Sequence, residues 1–145
     1  MIKILDPSAL RSHTSLSKSE NGTAWGVFRD PATGFYLLTE RSPTSNNAGQ
    51  WGFTGGGVDD GESHAQALRR ETKEEIVVDV PLSALKAVVS ETETNSTWFE
   101  IFMKVRPKRT SEVSNFKWVP FYDLEDYDLH KSVRHYFKMM YKHIK

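Results

Sequence analysis

The sequence predicts a mixed α/β domain. Three observations carry this: several short apolar runs bounded by turn residues, a helical stretch with carboxylates along one side, and a second helical stretch with an apolar face near the C-terminus. The chain has 145 residues and is 38% hydrophobic, enough for one core and little more. A single domain over residues 1–145 is expected, with residues 1–22 as an N-terminal extension or loop. Met1 to Leu10 is broken by Asp6 and Pro7 and has no long apolar run, so neither a secretory signal nor a membrane span is expected.

The elements follow in order. Ser12 to Asn21 is polar and reads as loop. Thr23 to Arg29 is apolar enough for a strand, Asp30-Pro31-Ala32-Thr33-Gly34 is a turn, and Phe35 to Glu40 returns as the second arm of a hairpin. Pro43 to Gln50 is loop in composition, Trp51 to Thr54 is short and apolar, and three glycines follow as a loop entering a helix. That helix runs from Ser63 to about Ile76. Strands are expected over Leu85–Ser90, Trp98–Val105 and Phe116–Phe121. The last helix spans Leu129 to Ile144, with Val133, Tyr136, Phe137, Met140 and Ile144 on one face.

Bulk charge excludes some functions. Formal net charge is zero, so no overall field draws the chain to nucleic acid or an anionic membrane. A phosphate ligand would need a local site. There is no cysteine, which removes disulfides, thiolate zinc sites and a cysteine nucleophile, and suits a reducing cytoplasm. A metal would sit on oxygen or histidine ligands. The five histidines show no ligand spacing; His130, His135 and His143, on or near the last helix, are expected at the surface. Lys131, Arg134, Lys138, Lys142 and Lys145 make that helix basic, as a solvated face.

The informative stretch is Gly55 to Val78, GGGVDDGESHAQALRRETKEEIVV. Glu71, Glu74 and Glu75 stand at i, i+3 and i+4, within an arc of about 100° on a helix. Ala65, Leu68, Thr72 and Ile76 gather on the neighbouring arc and can pack inward. Like charges so close repel, and a hard divalent cation such as Mg²⁺ or Mn²⁺ offsets that repulsion. Arg70 places a cation beside Glu71 and can orient it. Gly55, Gly56 and Gly57 let main-chain groups approach a phosphate or metal, yet match neither a Walker loop nor a dinucleotide fingerprint.

These residues resemble the Nudix box, G-x5-E-x7-R-E-U-x-E-E-x-G-U, where U is bulky and apolar. Gly56, Glu62, Arg70, Glu71, Glu74, Glu75 and Val78 occupy the matching positions; Thr72 stands where an apolar residue belongs and Val77 where the late glycine belongs. Gln50-Trp51-Gly52-Phe53 ahead of the box and Trp118-Val119-Pro120 behind it also look like that family. The resemblance implies a Nudix-like α/β/α sandwich around a mixed β-sheet. It implies Mg²⁺ (or Mn²⁺) held by Glu71, Glu74, Glu75 and the Gly56 carbonyl, with Glu62 holding the loop and Arg70 in place. A further carboxylate, as ligand or base, often precedes the late tryptophan strand. Glu112 is chosen here, ahead of Glu93 and Glu100.

The catalytic set expected on this basis is Glu71, Glu74, Glu112 and Arg70. For substrate, Arg41 is read either as a phosphate contact or as a surface charge, and Gly55 as a main-chain contact. Trp51, Phe53 and Tyr36 are read either as stacking on a base or as core. The implied activity is metal-dependent hydrolysis of a diphosphate bond in a nucleoside diphosphate linked to another group. Nucleoside triphosphates, ADP-ribose, dinucleoside polyphosphates, nucleotide sugars and capped RNA ends all qualify. Two alternatives are weighed: a non-catalytic nucleotide sensor, which the retained glutamates argue against, and an isoprenyl diphosphate isomerase, which the missing cysteine argues against. A monomer or small homo-oligomer is expected.

Overall fold

The computed structural model describes residues 2–3 and 21–141. The expected Ser12–Asn21 loop lies, but for Asn21, outside these, as do Ile144, His143, Lys142 and Lys145. The strands are β1 (Ile2–Lys3), β2 (Thr23–Arg29), β3 (Tyr36–Arg41), β4 (Trp51–Gly52), β5 (Thr54–Gly57), β6 (Lys86–Glu91), β7 (Ser96–Phe102) and β8 (Val113–Val119). Two helices accompany them, α1 (His64–Ile76) and α2 (Lys131–Tyr141), with 3₁₀ turns at Leu82–Ala84 and Phe121–Asp126. One mixed sheet runs β1-β6-β7-β2-β3-β4, with β5 pairing β2 and β8 pairing β3. β2 and β7 are parallel; the other pairings are antiparallel. Among the described residues no helix is long and apolar enough to cross a membrane.

Both sheet faces are covered, so alternate residues along each strand enter two separate cores. Ala24 and Phe28 of β2, Leu37 of β3, and Phe99 and Ile101 of β7 pack with Ala67, Leu68 and Ile76 of α1. Trp25, Val27, Tyr36, Leu38 and Trp98 point the other way, onto Val133, Tyr136 and Met139 of α2. Full burial of a side chain such as Leu68 contributes about 2 kcal/mol. This is the α/β/α arrangement expected.

Four readings change. The glycine run is not a loop: Thr54–Gly57 is a strand, held antiparallel against Thr23–Gly26. The β2–β3 hairpin exists at its turn, where Asp30 accepts from the Ala32 amide and the Thr33 hydroxyl. It pairs only Arg29 with Tyr36; beyond that β2 turns to β5, and β3 to β8 and β4. The extension is not all loop, since Ile2–Lys3 pairs with Ser90–Glu91. On α2 the buried side chains are Val133, Tyr136 and Met139, with Phe137 and Met140 only partly covered.

The exit of α1 explains the Val77 departure. Val77 takes the left-handed conformation, φ 59° and ψ 42°, and its amide donates to the Lys73 carbonyl. Glycine ordinarily fills this cap because a β-branched side chain is strained there. Val77 is 51% exposed, so little burial offsets the strain. Val77→Gly is expected to stabilise the fold by about 1 kcal/mol, read as a higher urea midpoint at unchanged slope. A lower midpoint would contradict it.

Candidate functional site

Helix α1 presents the box residues because both ends are fastened. Ser63 caps it, accepting from the Gln66 amide while Gln66 Oε1 accepts from the Ser63 amide. At the far end two orphan carbonyls find partners in the following loop: Lys108 N donates to Ile76 O at 2.9 Å and Thr110 Oγ1 to Glu75 O at 2.6 Å. That second tie brings Glu112 beside the helix. Thr72 is buried and bonds Thr54 Oγ1 at 3.2 Å, so a hydroxyl pair replaces the apolar contact expected there.

Arg70 is the hub of the outer face. It forms a two-pronged bond to Glu62 at 2.8 and 3.0 Å, reaches Glu71 at 2.9 Å and Glu74 at 3.1 Å, and donates to the Gly57 carbonyl at 3.0 Å. Its guanidinium holds the Glu62 carboxyl below the usual carboxylate range. Helix, loop and β5 are thereby locked in one register.

Opposite that face lies a cleft of about 620 Å³, lined by Glu71, Glu75, Glu112, Arg41, Trp25 and His130 among others. Its floor is the β5 edge. Gly55 has φ 145°, and its amide donates to Glu75 Oε1 at 3.1 Å. A Cβ on Gly56 would stand 2.9 Å from the Glu71 carboxylate. A larger depression of about 740 Å³ runs along the outer side of α1 past Arg70, Glu74 and Leu82. It is the larger but carries neither Glu71 nor Glu75, so volume does not decide where the chemistry sits.

Electrostatics single out the smaller cleft. Glu75 is 2% exposed. Burial pushes its proton affinity up to about 8, against the pull of the Gly55 amide and Arg41, with Glu71 and Glu112 adding repulsion. Burial also raises Glu71 despite Arg70, and Glu74 and Glu112 raise it further. Arg41 is the one Arg or Lys lining the cleft among the described residues. It is aimed there by a register shift between Glu40 and Arg41 and by its Nε–H bond to the Asn46 carbonyl at 3.1 Å.

The residues singled out from sequence therefore divide. Glu71, Glu75, Glu112, Gly55, Gly56 and Arg41 meet around the cleft. Arg70 is not part of its lining and bonds Glu71 and Glu74 from the outer side. Glu74 turns to Arg70 and is 51% exposed, on the outer groove. Phe53, 1% exposed, packs against Tyr136 and Phe137 under α2 and is core, as is Tyr36. Trp51 packs edge-on to Tyr127, outside the cleft lining. Its backbone instead clamps the approach to α2: Trp51 N donates to Asp128 O, and His130 N donates to Trp51 O, both at 2.8 Å. Glu100 lies near Arg29 at 3.8 Å and Glu93 is exposed in the β6–β7 turn; neither lines the cleft.

His130 overturns the surface reading: it is 6% exposed and lines the cleft. Trp25, Asn46, Asn47 and Ser111 also line it and were not singled out. Trp25 sits mid-strand like any core aromatic, and no spacing marks a histidine that precedes a helix. No signal in the sequence singled out His130, since a helix starting at Leu129 has Asp128 just before it as an ordinary cap; the structure starts α2 two residues later, at Lys131.

Residues 20–140 match the model of the NUDIX domain. The chain belongs to the Nudix family. It is 31% identical over 119 residues to nucleoside triphosphatase NudI of Salmonella agona (strain SL483), covering 70% of this chain and 84% of that one. It is 34% identical over 118 residues to NudI of Escherichia fergusonii, with the same shares covered. Among solved structures, MutT protein from Methanosarcina mazei Go1 superposes with a TM-score of 0.65 at 24% identity, over 90% of this chain and 99% of that one. The Escherichia coli dihydroneopterin triphosphate pyrophosphohydrolase gives 0.61 at 18% identity, over 80% and 91%. These structural likenesses concern the fold. The protein is a Nudix hydrolase of the pyrophosphohydrolase type.

Nudix hydrolases work with divalent cations, and the cleft fits one in kind. Its donors are carboxylate oxygens and main-chain carbonyls, the set preferred by Mg²⁺ and Mn²⁺. The raised proton affinity of Glu71 and Glu75 marks a place short of positive charge. In the arrangement seen, no three acidic or histidine side chains among the described residues converge closely enough to hold an ion. Glu74 is held by Arg70 at 3.1 Å, on the outer groove and away from the cleft lining.

Proposed function

We propose that this Nudix hydrolase cleaves a nucleoside triphosphate into nucleoside monophosphate and pyrophosphate, with Mg²⁺ or Mn²⁺ held by Glu71, Glu75, Glu112 and the Gly56 carbonyl, and by Glu74 once it leaves Arg70. The carrying observation is Glu75, a carboxylate almost fully buried beside two others, with one protein donor at 3.1 Å. A carboxyl so deeply buried gives up its proton reluctantly, and a divalent cation that takes the proton's place stabilises the charged form. The substrate class rests on the NudI relatives, whose name is nucleoside triphosphatase.

The bound cation supplies charge neutralisation at the diphosphate and a more acidic water. The chain's own groups do the rest. Arg41 pairs with phosphate oxygens at the cleft mouth. The Gly55 amide holds one oxygen of Glu75, which lines the cleft. Glu112, on a loop stapled to α1, accepts the proton of the attacking water and passes it to solvent. The water oxygen bonds to phosphorus, the anhydride P–O bond breaks, and pyrophosphate carries away the bridging oxygen.

A phosphate-release screen tests this. Purified protein would meet nucleoside triphosphates, ADP-ribose, dinucleoside polyphosphates and nucleotide sugars, each with Mg²⁺, with Mn²⁺ and with EDTA. The expected result is triphosphate cleavage abolished by EDTA, with phosphate detected only after inorganic pyrophosphatase is added. Orthophosphate released directly would move the cleaved bond to the terminal phosphate. Binding by calorimetry with no turnover of any compound would make the protein a non-catalytic sensor.

A further inference from the structure

The α2 side of the cleft has a built hydrogen-bond relay that the hydrolytic step does not use. The Phe53 amide lies 3.4 Å from Ser132 Oγ, and Ser132 Oγ lies 2.9 Å from His130 Nδ1. The Ser132 amide also donates to Nδ1, at 3.1 Å. A main-chain N–H cannot accept, so Nδ1 carries no proton, and the Ser132 hydroxyl, receiving from Phe53, donates to it as well. Burial first, then Arg41, Lys131 and His135, push His130 down to about 4, so the ring is neutral near pH 7. A neutral imidazole with a bare Nδ1 carries its proton on Nε2. Among the described residues that N–H has no partner, and the residue lines the cleft.

Its neighbour is Trp25, whose ring centre is 5.4 Å away at 52°. The Trp25 indole N–H is already given to Thr23 Oγ1 at 3.0 Å, so the ring offers the cleft apolar surface. Trp25 belongs to the α2-side core, whereas Glu71 and Glu75 stand on α1, at the other side of the sheet. A ligand with its phosphates at the carboxylates thus reaches Trp25 and His130 with its other end. An aromatic surface with one uncharged donor suits a flat heterocycle presenting an oxygen acceptor, and suits a phosphate poorly.

We propose that His130 sets base preference, donating from Nε2 to an oxo oxygen on the base and disfavouring bases that present an amino group there. This rests on the triphosphate reading above. Two amino hydrogens facing an N–H set donor against donor, and such mismatches cost about tenfold or more. His130 also caps α2: its carbonyl accepts from Val133 N at 3.0 Å and its Nδ1 from Ser132 N. The test variant has to keep that cap. His130→Ser retains a capping oxygen and removes the Nε2 donor.

The measurement is the ratio of kcat/KM for UTP over CTP and for ITP over ATP, each pair differing by oxo against amino on the same ring. The expected ratio is about ten or more in the accepted pair, falling to about one in His130→Ser. A ratio near one in the parent, or one unchanged by the substitution, overturns the proposal, because a purely structural role lowers both substrates together. If no triphosphate is turned over, the triphosphate reading fails by itself. Calorimetry with UMP against CMP and IMP against AMP then decides the base preference: a preference lost in His130→Ser supports it, and equal binding overturns it.

Discussion

Glu75→Gln is expected to cut turnover by at least about a hundredfold, through loss of a charged oxygen at the centre of the site, while the protein melts no lower than the parent. The two halves of this result have one cause. Burial raises the Glu75 proton affinity from 4.5 to about 8. Between those values the folded chain keeps a proton that the unfolded chain releases, so folding stability falls as pH rises through this range. His130 acts in the opposite direction lower down: shifted from 6.5 to about 4, it loses stability as pH falls through that interval. The clean window for Glu75 is therefore pH 6.5 to 8. Without divalent cation, the parent should melt lower at pH 8 than at pH 6.5. Glu75→Gln should show a shallower slope across this window. Mg²⁺ should lift the parent most at pH 8, where least proton has to be displaced. Near-normal turnover in the variant, or an identical melting slope, would remove Glu75 from the proposed role.

Gly55→Ala should destabilise the fold by roughly 3 kcal/mol or more. Its φ of 145° is hostile to any side chain, and the added Cβ would lie 2.0 Å from the Ala24 carbonyl oxygen and 2.8 Å from Trp25 Cε3. Relief requires β5 to part from β2, which withdraws the amide that holds Glu75. Gly57→Ala is the control: its Cβ would meet nothing within 4 Å, so a change within about 0.5 kcal/mol is expected. Urea unfolding of both variants measures the difference, and equal midpoints would show that β5 is not pinned as described.

What could be read from the sequence follows from how local each signal is. Helix α1 was legible because its period, its Ser63 cap and its glutamate spacing all lie within one short stretch. The elements of the sandwich were legible, but its strand order was not, since β2 selects β5, β7 and β3 through contacts far along the chain. The direction of each glutamate was only half legible. Spacing placed Glu71, Glu74 and Glu75 on one arc, but Arg70 draws Glu74 to the outer side while the Gly55 amide holds Glu75 within. Glu112 met them through the Thr110 staple, which its spacing from Trp118 does not encode. Trp51 and Phe53 flank the box as expected, yet act on the cleft through their backbones, one clamping His130 and the other opening the relay to it.

The parallel pairing of β2 with β7 has a consequence for how the chain is made. Thr23 and Ser96 are hydrogen-bonded partners separated by 73 residues. Such distant closure slows folding, because the intervening chain must be ordered before the contact rewards it. During synthesis, Trp25 and its strand can dock with β5 and α1 but keep one open edge until Phe102 has emerged. A growing chain halted before that point is the form most exposed to edge-to-edge association.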